Sequence, residues 1–146
     1  MFKNILLGTD GSAASEHAAR LAVDLAHTHG AKLTVVYVVD PYPYLGVGES
    51  NPMGFQAYLA AGQQHAAQAH ANVAKHAAEI DRNIQVEARL VEDTTAVHGI
   101  IDTAKTEGAD LIVVGSHGRT GVARLMVGSV AAKVVAQSTV PVLVVR

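Results

Sequence analysis

Five short runs of Val, Leu and Ile, separated by segments with helical patterning, constrain the fold of this chain more than any other feature. Four of the runs are nearly continuous in branched apolar residues, which is typical of parallel strands covered on both faces. The predicted strands are 5–7, 33–39, 84–91, 111–114 and 140–145. The predicted helices are 12–29, 55–80, 95–107 and a last one from about 129 to before Pro141. This alternation predicts one α/β domain over 1–146, a doubly wound sheet of five parallel strands with about four helices.

The third and fifth runs have features of strands at the edges of a sheet. In the third run apolar residues alternate with Gln85, Glu87 and Arg89, so one face can be wet. The fifth run has no charged residue between Val140 and Val145, and an open edge of this kind can pair with another chain. We therefore expect a homodimer joined through 140–145. With right-handed crossovers, these two edges give the strand order 3-2-1-4-5.

The reversal of that order between strands one and four predicts where a ligand binds. Open α/β sheets bind ligands outside the carboxyl ends of their strands, at the point where the order reverses. The loops at 8–12 and 115–129 are therefore expected to form the site. The long connection 40–54, rich in Pro, Gly and Tyr, is either a flap beside the ligand or a solvent-exposed loop.

Composition argues against several classes of partner. The formal net charge is −2 with no long run of Lys or Arg, so a nucleic-acid partner is not expected. The chain has no cysteine, which excludes disulfides and thiolate metal sites and fits a reducing compartment. The apolar runs are too short to span a bilayer, and no signal-peptide pattern opens the sequence. We expect a soluble cytoplasmic protein without a membrane partner.

The loop after the fourth strand is rich in glycine, and it carries the strongest functional signal. It reads Gly115-Ser116-His117-Gly118-Arg119-Thr120-Gly121, followed by Gly128-Ser129-Val130 before the last helix. Glycine lets the main chain approach a ligand closely, and a helix start offers free N–H groups and partial positive charge to a phosphate. Ser129 is expected to cap this helix and to donate to a phosphate oxygen. Taken singly, these residues could serve only as turns and a cap; together at the strand reversal they indicate a binding site.

The spacing Gly115, two residues, Gly118, nine residues, Gly128, Ser129 resembles the motif of the ATP-binding branch of the universal stress protein family. The first strand and turn, from Ile5 through Asp10 to Ser12, and the last strand resemble that family as well. The resemblance implies that ATP is the ligand, with its triphosphate on the glycine loop and Mg²⁺ or Mn²⁺ bound through the phosphates. It also implies a dimer formed through the last strand.

The resemblance further implies how the nucleoside is held. Asp10, which closes the first strand, would line the adenosine pocket, and Val38 would meet adenine through its main chain. From the residues alone, Asp10 could instead brace the turn before the first helix, and Arg119 could be a solvated loop charge. Relatives often have Pro or Ala where this chain has Gly8. The predicted nucleotide site comprises Gly8, Thr9, Asp10, Val38, Val114, Gly115, Ser116, His117, Gly118, Arg119, Gly128, Ser129 and Val130.

Two functions follow from these predictions. The first is a nucleotide-responsive switch or adaptor in a stress response, acting on a protein partner that the sequence does not identify. The alternative is a slow Mg²⁺-dependent ATPase or phosphohydrolase, for which His117 is the only obvious titratable candidate in the loop. No Walker Gly-Lys pair, dinucleotide fingerprint or Gly-x-Ser-x-Gly elbow occurs. We assign no catalytic residue and no metal ligand, and the spacing of His65, His70 and His76 favours surface histidines.

Overall fold

A computed structural model of the chain describes residues 1–41, 52–117 and 127–146. Along these residues the elements are β1 (Asn4–Gly8), α1 (Ala13–His29), β2 (Lys32–Val39), α2 (Pro52–Ile80), β3 (Val86–Glu92), α3 (Ala96–Glu107), β4 (Leu111–Gly115), α4 (Ser129–Gln137) and β5 (Val142–Val145). The strands pair in parallel in the order β3-β2-β1-β4-β5. The predicted α/β class and strand order are confirmed. β3 and β5 each begin two residues later than predicted, and α2 begins three residues earlier.

The sheet is covered on both faces, which explains the continuous apolar runs. Successive strand residues point to opposite faces, so Leu7 lies under α1 and α2 while Leu6 lies under α3 and α4. On the first face the helices contribute mainly alanine, as at Ala18, Ala22 and Ala26 of α1. Small side chains let these helices approach the sheet closely, and the branched strand residues supply most of the buried apolar area.

Capping residues fix where α1 and α3 begin and end. The side chains of Ser12 and Thr95 accept hydrogen bonds from the N–H groups of Ser15 and His98, respectively. Gly30 and Gly108 end the two helices in the left-handed conformation, with φ of 63° and 67°. Because α1 follows β1 and α3 follows β3 in a parallel sheet, both helix starts lie at the carboxyl edge of the sheet. In the described part of the chain, no helix combines the length and apolarity needed to cross a bilayer.

The edge strand β3 is partly exposed on both faces of the sheet, and ion pairs involve the polar side chains on one of these faces. Leu90 is 41% exposed, and the side chains of Glu87 and Arg89 on the other face are 30% and 41% exposed. The Lys32 ammonium lies 3.0 Å from Glu87 and 3.3 Å from Glu107. The Arg89 guanidinium lies 2.8 Å from Glu87 and 2.6 Å from Glu107. The polar residues that predicted a wet face thus tie β3 to β2 and to the end of α3.

This charge cluster should make the stability of the fold depend on pH in acid. Hydrogen bonds from Lys32 and Arg89 hold the pKa values of Glu87 and Glu107, respectively, below their ordinary values. The unfolded chain then binds more protons than the native state, so stability rises with pH across this range. The contribution is complete above the unfolded-state pKa of about 4.3 and is lost as the pH falls through the lower native values. Urea denaturation at successive pH values should show a shallower acid slope for Glu107→Gln; equal slopes would contradict the prediction.

Candidate functional site

A cleft of about 400 Å³ opens above the carboxyl ends of β1, β2 and β4. One wall comes from α2, and the opposite wall from the first turns of α3 and α4. The cleft lies where the strand order reverses between β1 and β4, which is where open α/β sheets take their ligands.

Most of the residues predicted from the sequence meet at this cleft. Its lining includes Gly8, Thr9, Asp10, Val38, Val114, Gly115, Ser116, His117, Gly128, Ser129 and Val130. The other two, Gly118 and Arg119, lie outside the described residues. The structure thus brings together two loops separated by about a hundred residues, and their role toward a ligand remains a prediction.

The start of α4 differs from the prediction in one respect. Gly128 is the N-cap residue, and Ser129 is the first residue of the helix. Glycine has no side chain that could cap the helix, so the first N–H groups of α4 keep their capacity to bind a ligand. Gly128 donates its own N–H to the carbonyl oxygen of Ser116 at 2.6 Å. A Cβ at position 128 would stand 2.9 Å from that same oxygen, so this close contact requires glycine.

Ser116 links the loop to the sheet and to its neighbour His117. Its N–H donates to the carbonyl oxygen of Val145 at 2.7 Å, and the residue is only 3% exposed. Its Oγ lies 2.9 Å from Nδ1 of His117. This hydrogen bond orients the imidazole ring, which lines the cleft.

Asp10 performs the bracing role that the sequence left open. Its Oδ1 accepts hydrogen bonds from the N–H of Ser12 at 2.9 Å and from the Ser12 hydroxyl at 2.5 Å. Thr9 supports the same turn, because its Oγ1 accepts the N–H of Gly11 at 3.1 Å. Asp10 also lines the cleft, so bracing the turn and facing a ligand are compatible roles.

The main chain of Val38 faces the cleft because β1 ends before β2 does. The ladder between the two strands reaches Gly8 and Val36, and the N–H of Thr9 then donates to the Val36 carbonyl at 3.1 Å. Alternate residues of a parallel strand direct their N–H and C=O groups toward the same neighbour. The N–H and C=O of Val38 therefore point toward β1, but beyond the last residue of β1, so β1 does not pair with them.

Gly8 is the position where the chain departs from the usual pattern of the family that it resembles. A Cβ at Gly8 would lie 2.8 Å from Cδ1 of Ile100 and 3.3 Å from Cγ1 of Val114. In this chain, Ile100 of α3 fills the space where a side chain at position 8 would stand. The floor of the cleft is therefore built by a pair of residues from two distant segments.

The wall contributed by α2 was missed by reasoning from the sequence. Tyr58, Ala61, Gly62 and His65 line the cleft, and the Tyr58 hydroxyl donates to the carbonyl oxygen of Asp40 at 2.8 Å. His70, expected on the surface, is instead half-buried, and this burial lowers its pKa. Local patterning identifies a helix here, but it carries no signal for where that helix crosses the sheet.

Comparison with known proteins places the chain in a family. The sequence profile described as "Universal stress protein family" matches residues 1–146. The chain belongs to the universal stress protein family. It is 33% identical to a universal stress protein of Methanocaldococcus jannaschii over all of this chain and 83% of the relative. It is 37% identical to a universal stress protein of Thermus aquaticus over the full length of both.

Solved structures of the family share the fold of this universal stress protein. UspA from Lactobacillus plantarum is 31% identical, with a TM-score of 0.86 over 99% of this chain and 97% of that one. A universal stress protein solved in complex with cAMP is 27% identical, with a TM-score of 0.74 over 99% and 97% of the two chains. The fold and the family are therefore established by independent comparisons.

Proposed function

We propose that this universal stress protein binds an adenine nucleotide, ATP, in the cleft above β1 and β4. Occupancy of the cleft would then act as a switch or adaptor in a stress response. The observation that carries the proposal is the start of α4, where an N-cap without a side chain leaves helix N–H groups beside the cleft.

The phosphate end of the ligand would lie against α4. The helix start supplies N–H donors and partial positive charge, and the hydroxyl of Ser129 adds a further donor. The described residues include no cluster of three His, Cys, Asp or Glu that could hold a metal ion. In the proposal, Mg²⁺ or Mn²⁺ would be bound through the phosphates, where it would neutralise charge on them. In this proposal Gly118 and Arg119 continue the same loop.

The base end would lie against β2. The N–H and C=O of Val38 offer one donor and one acceptor side by side, at the point where β1 has ended. Adenine presents an acceptor ring nitrogen beside its exocyclic amino donor, which matches this pair, whereas guanine presents the opposite pattern on the same edge. A similar universal stress protein was solved in complex with cAMP, which supports the proposal that this chain recognises adenine.

The proposed switch includes a homodimer formed through β5. This strand is an edge of the sheet, and the main-chain groups on its outer side are open to a second strand. On the neighbouring helix α4, Val135 is 51% exposed and would extend an apolar contact. Because Ser116 donates to Val145 at the end of β5, ligand binding at the loop would reach the dimer strand through a direct hydrogen bond.

Slow hydrolysis remains a second candidate because Ser116 orients the His117 ring beside the cleft. An oriented imidazole can position a water molecule or accept its proton. The proposed switch depends on ATP binding alone and does not require hydrolysis.

One set of measurements tests the proposal. Nucleotide released from the purified protein is identified by mass spectrometry, and calorimetry compares ATP, GTP and inorganic tripolyphosphate. We expect ATP to bind at least about tenfold more tightly than GTP, since one mismatched donor–acceptor pair costs about 1.4 kcal/mol or more. No heat with any adenine nucleotide would contradict the proposal. Multiple turnovers of ATP with Mg²⁺ that are lost in His117→Ala would favour the enzyme, and retained ATP without phosphate release would favour the switch.

A further inference from the structure

Two helical glycines hold the end of β2 from opposite faces of the sheet. A Cβ at Gly99 of α3 would lie 2.6 Å from Cγ2 and 3.1 Å from Cγ1 of Val38. A Cβ at Gly62 of α2 would lie 2.9 Å and 3.0 Å from the two γ carbons of Val39. Consecutive strand residues point to opposite faces, so each helix rests directly on one of the two valines.

Neither glycine is explained by the helix that contains it. Glycine is less favourable than alanine inside a helix, and the sequence around Gly62 is otherwise rich in alanine. Neither residue has a positive φ, unlike Gly11, Gly30 and Gly108. The shared property of Gly62 and Gly99 is the close approach of a helix to the last residues of β2.

We propose that Gly62 and Gly99 are positioning residues. They fix where the main chain of Val38 and Val39 lies between α2 and α3, and they thereby set the selectivity for the base. The inference rests on the proposed function, in which the base pairs with the N–H and C=O of Val38. Carbon atoms in contact normally stand about 3.5–4.0 Å apart, so a Cβ at Gly99 would force helix and strand apart by about 1 Å. The shift is perpendicular to the sheet, whereas the N–H and C=O of Val38 lie in its plane, so hydrogen bonds of about 2.9 Å to the base would be bent by about 20° and weakened.

The first test is a double-mutant cycle between Gly99 and Val38, read out by calorimetry. Gly99→Ala should weaken ATP binding about tenfold and reduce the preference for ATP over GTP. Its affinity for tripolyphosphate should stay within about twofold, because the phosphate end lies on α4. In the Val38→Ala background, adding Gly99→Ala should change ATP affinity less than twofold, since both γ carbons that the new Cβ would meet are gone.

Gly62 gives a second, independent arm of the same test. Gly62→Ala should also lower ATP selectivity, and Val39→Ala should suppress that effect, because the next atom, Cβ of Val39, stands at an ordinary 3.6 Å. If the Gly99→Ala variant does not fold, the Gly62 and Val39 variants still test the proposal. Gly30→Ala is the control. Gly30 caps the carboxyl end of α1 in the left-handed conformation, away from the cleft, so the substitution should lower stability without changing selectivity.

The outcomes separate this inference from the proposed function. ATP selectivity unchanged in both glycine variants, or ATP and tripolyphosphate affinity lowered equally, would show that the two glycines serve packing alone. Absence of ATP binding by the unsubstituted protein would overturn the proposed function together with the inference. Selectivity that is lost in the glycine variants, with little further change when each glycine is substituted in its valine-to-alanine background, would support both.

Discussion

Gly128→Ala is expected to weaken ATP binding about 100-fold while the fold is retained. The new Cβ would stand 2.9 Å from the carbonyl oxygen of Ser116, a main-chain atom that cannot rotate away. The contact between Gly128 and Ser116 would open, and the start of α4 would turn away from the phosphates. Loss of two hydrogen bonds to a charged group, at about 1.5 kcal/mol each, corresponds to roughly that factor. Calorimetry with ATP measures the affinity, and far-ultraviolet circular dichroism reports the fold.

The control for this variant is again Gly30→Ala, which strains the backbone at a distance from the cleft. We expect it to lower the melting temperature and to leave the affinity for ATP as it was. If Gly128→Ala binds ATP as tightly as the unsubstituted protein, the start of α4 does not hold the phosphates.

Leu6→Ala is expected to reduce the free energy of unfolding by about 3–4 kcal/mol, the largest effect on stability that we predict. Leu6 lies in the central strand β1, is fully buried, and packs in the cluster that contains Ile100 and Val134. Truncation would remove apolar contacts and leave a cavity that neighbours on two adjacent strands and two helices cannot easily fill. Urea denaturation followed by circular dichroism is the appropriate measurement, because the chain has no tryptophan.

Leu90→Ala makes the same chemical change at the sheet edge, where the side chain is 41% exposed. The expected loss is below about 1 kcal/mol, because little apolar surface is uncovered and water can fill the gap. Equal losses for the two variants would contradict the central position of β1 that the structure assigns.

The strand order could be predicted because it depends on features that a single sequence displays. The mixed polar character of 84–91 indicated one edge, the uncharged run 140–145 indicated the other, and the handedness of crossovers left one natural arrangement. The reversal point then identified the loops at Thr9 and Gly115 before any motif was used. The family resemblance added a chemical identity for the ligand, which the geometry alone does not supply.

Errors arose where the answer depended on contacts across the fold. Ser129 was expected to cap α4, but Gly128 takes that place, since its approach to Ser116 is a contact between segments. His70 was expected on the surface, yet it is half-buried where α2 crosses the sheet. Glu87 and Arg89 lie on a face open to water as expected, with side chains 30% and 41% exposed, but their ion pairs with Lys32 and Glu107 were not predicted. In each case the decisive neighbour is distant in sequence.

The sequence by itself determined the strands, the helix ends at residues such as Ser12 and Gly30, and the place of the cleft. These follow from side-chain periodicity, capping and chain handedness, which act over a few residues or obey general rules. Only the tertiary structure decided that Tyr58 and His65 line the cleft, and that α2 and α3 contact the end of β2 closely at Gly62 and Gly99. The physical reason is that helix placement results from close packing among distant side chains, and no local pattern encodes that fit.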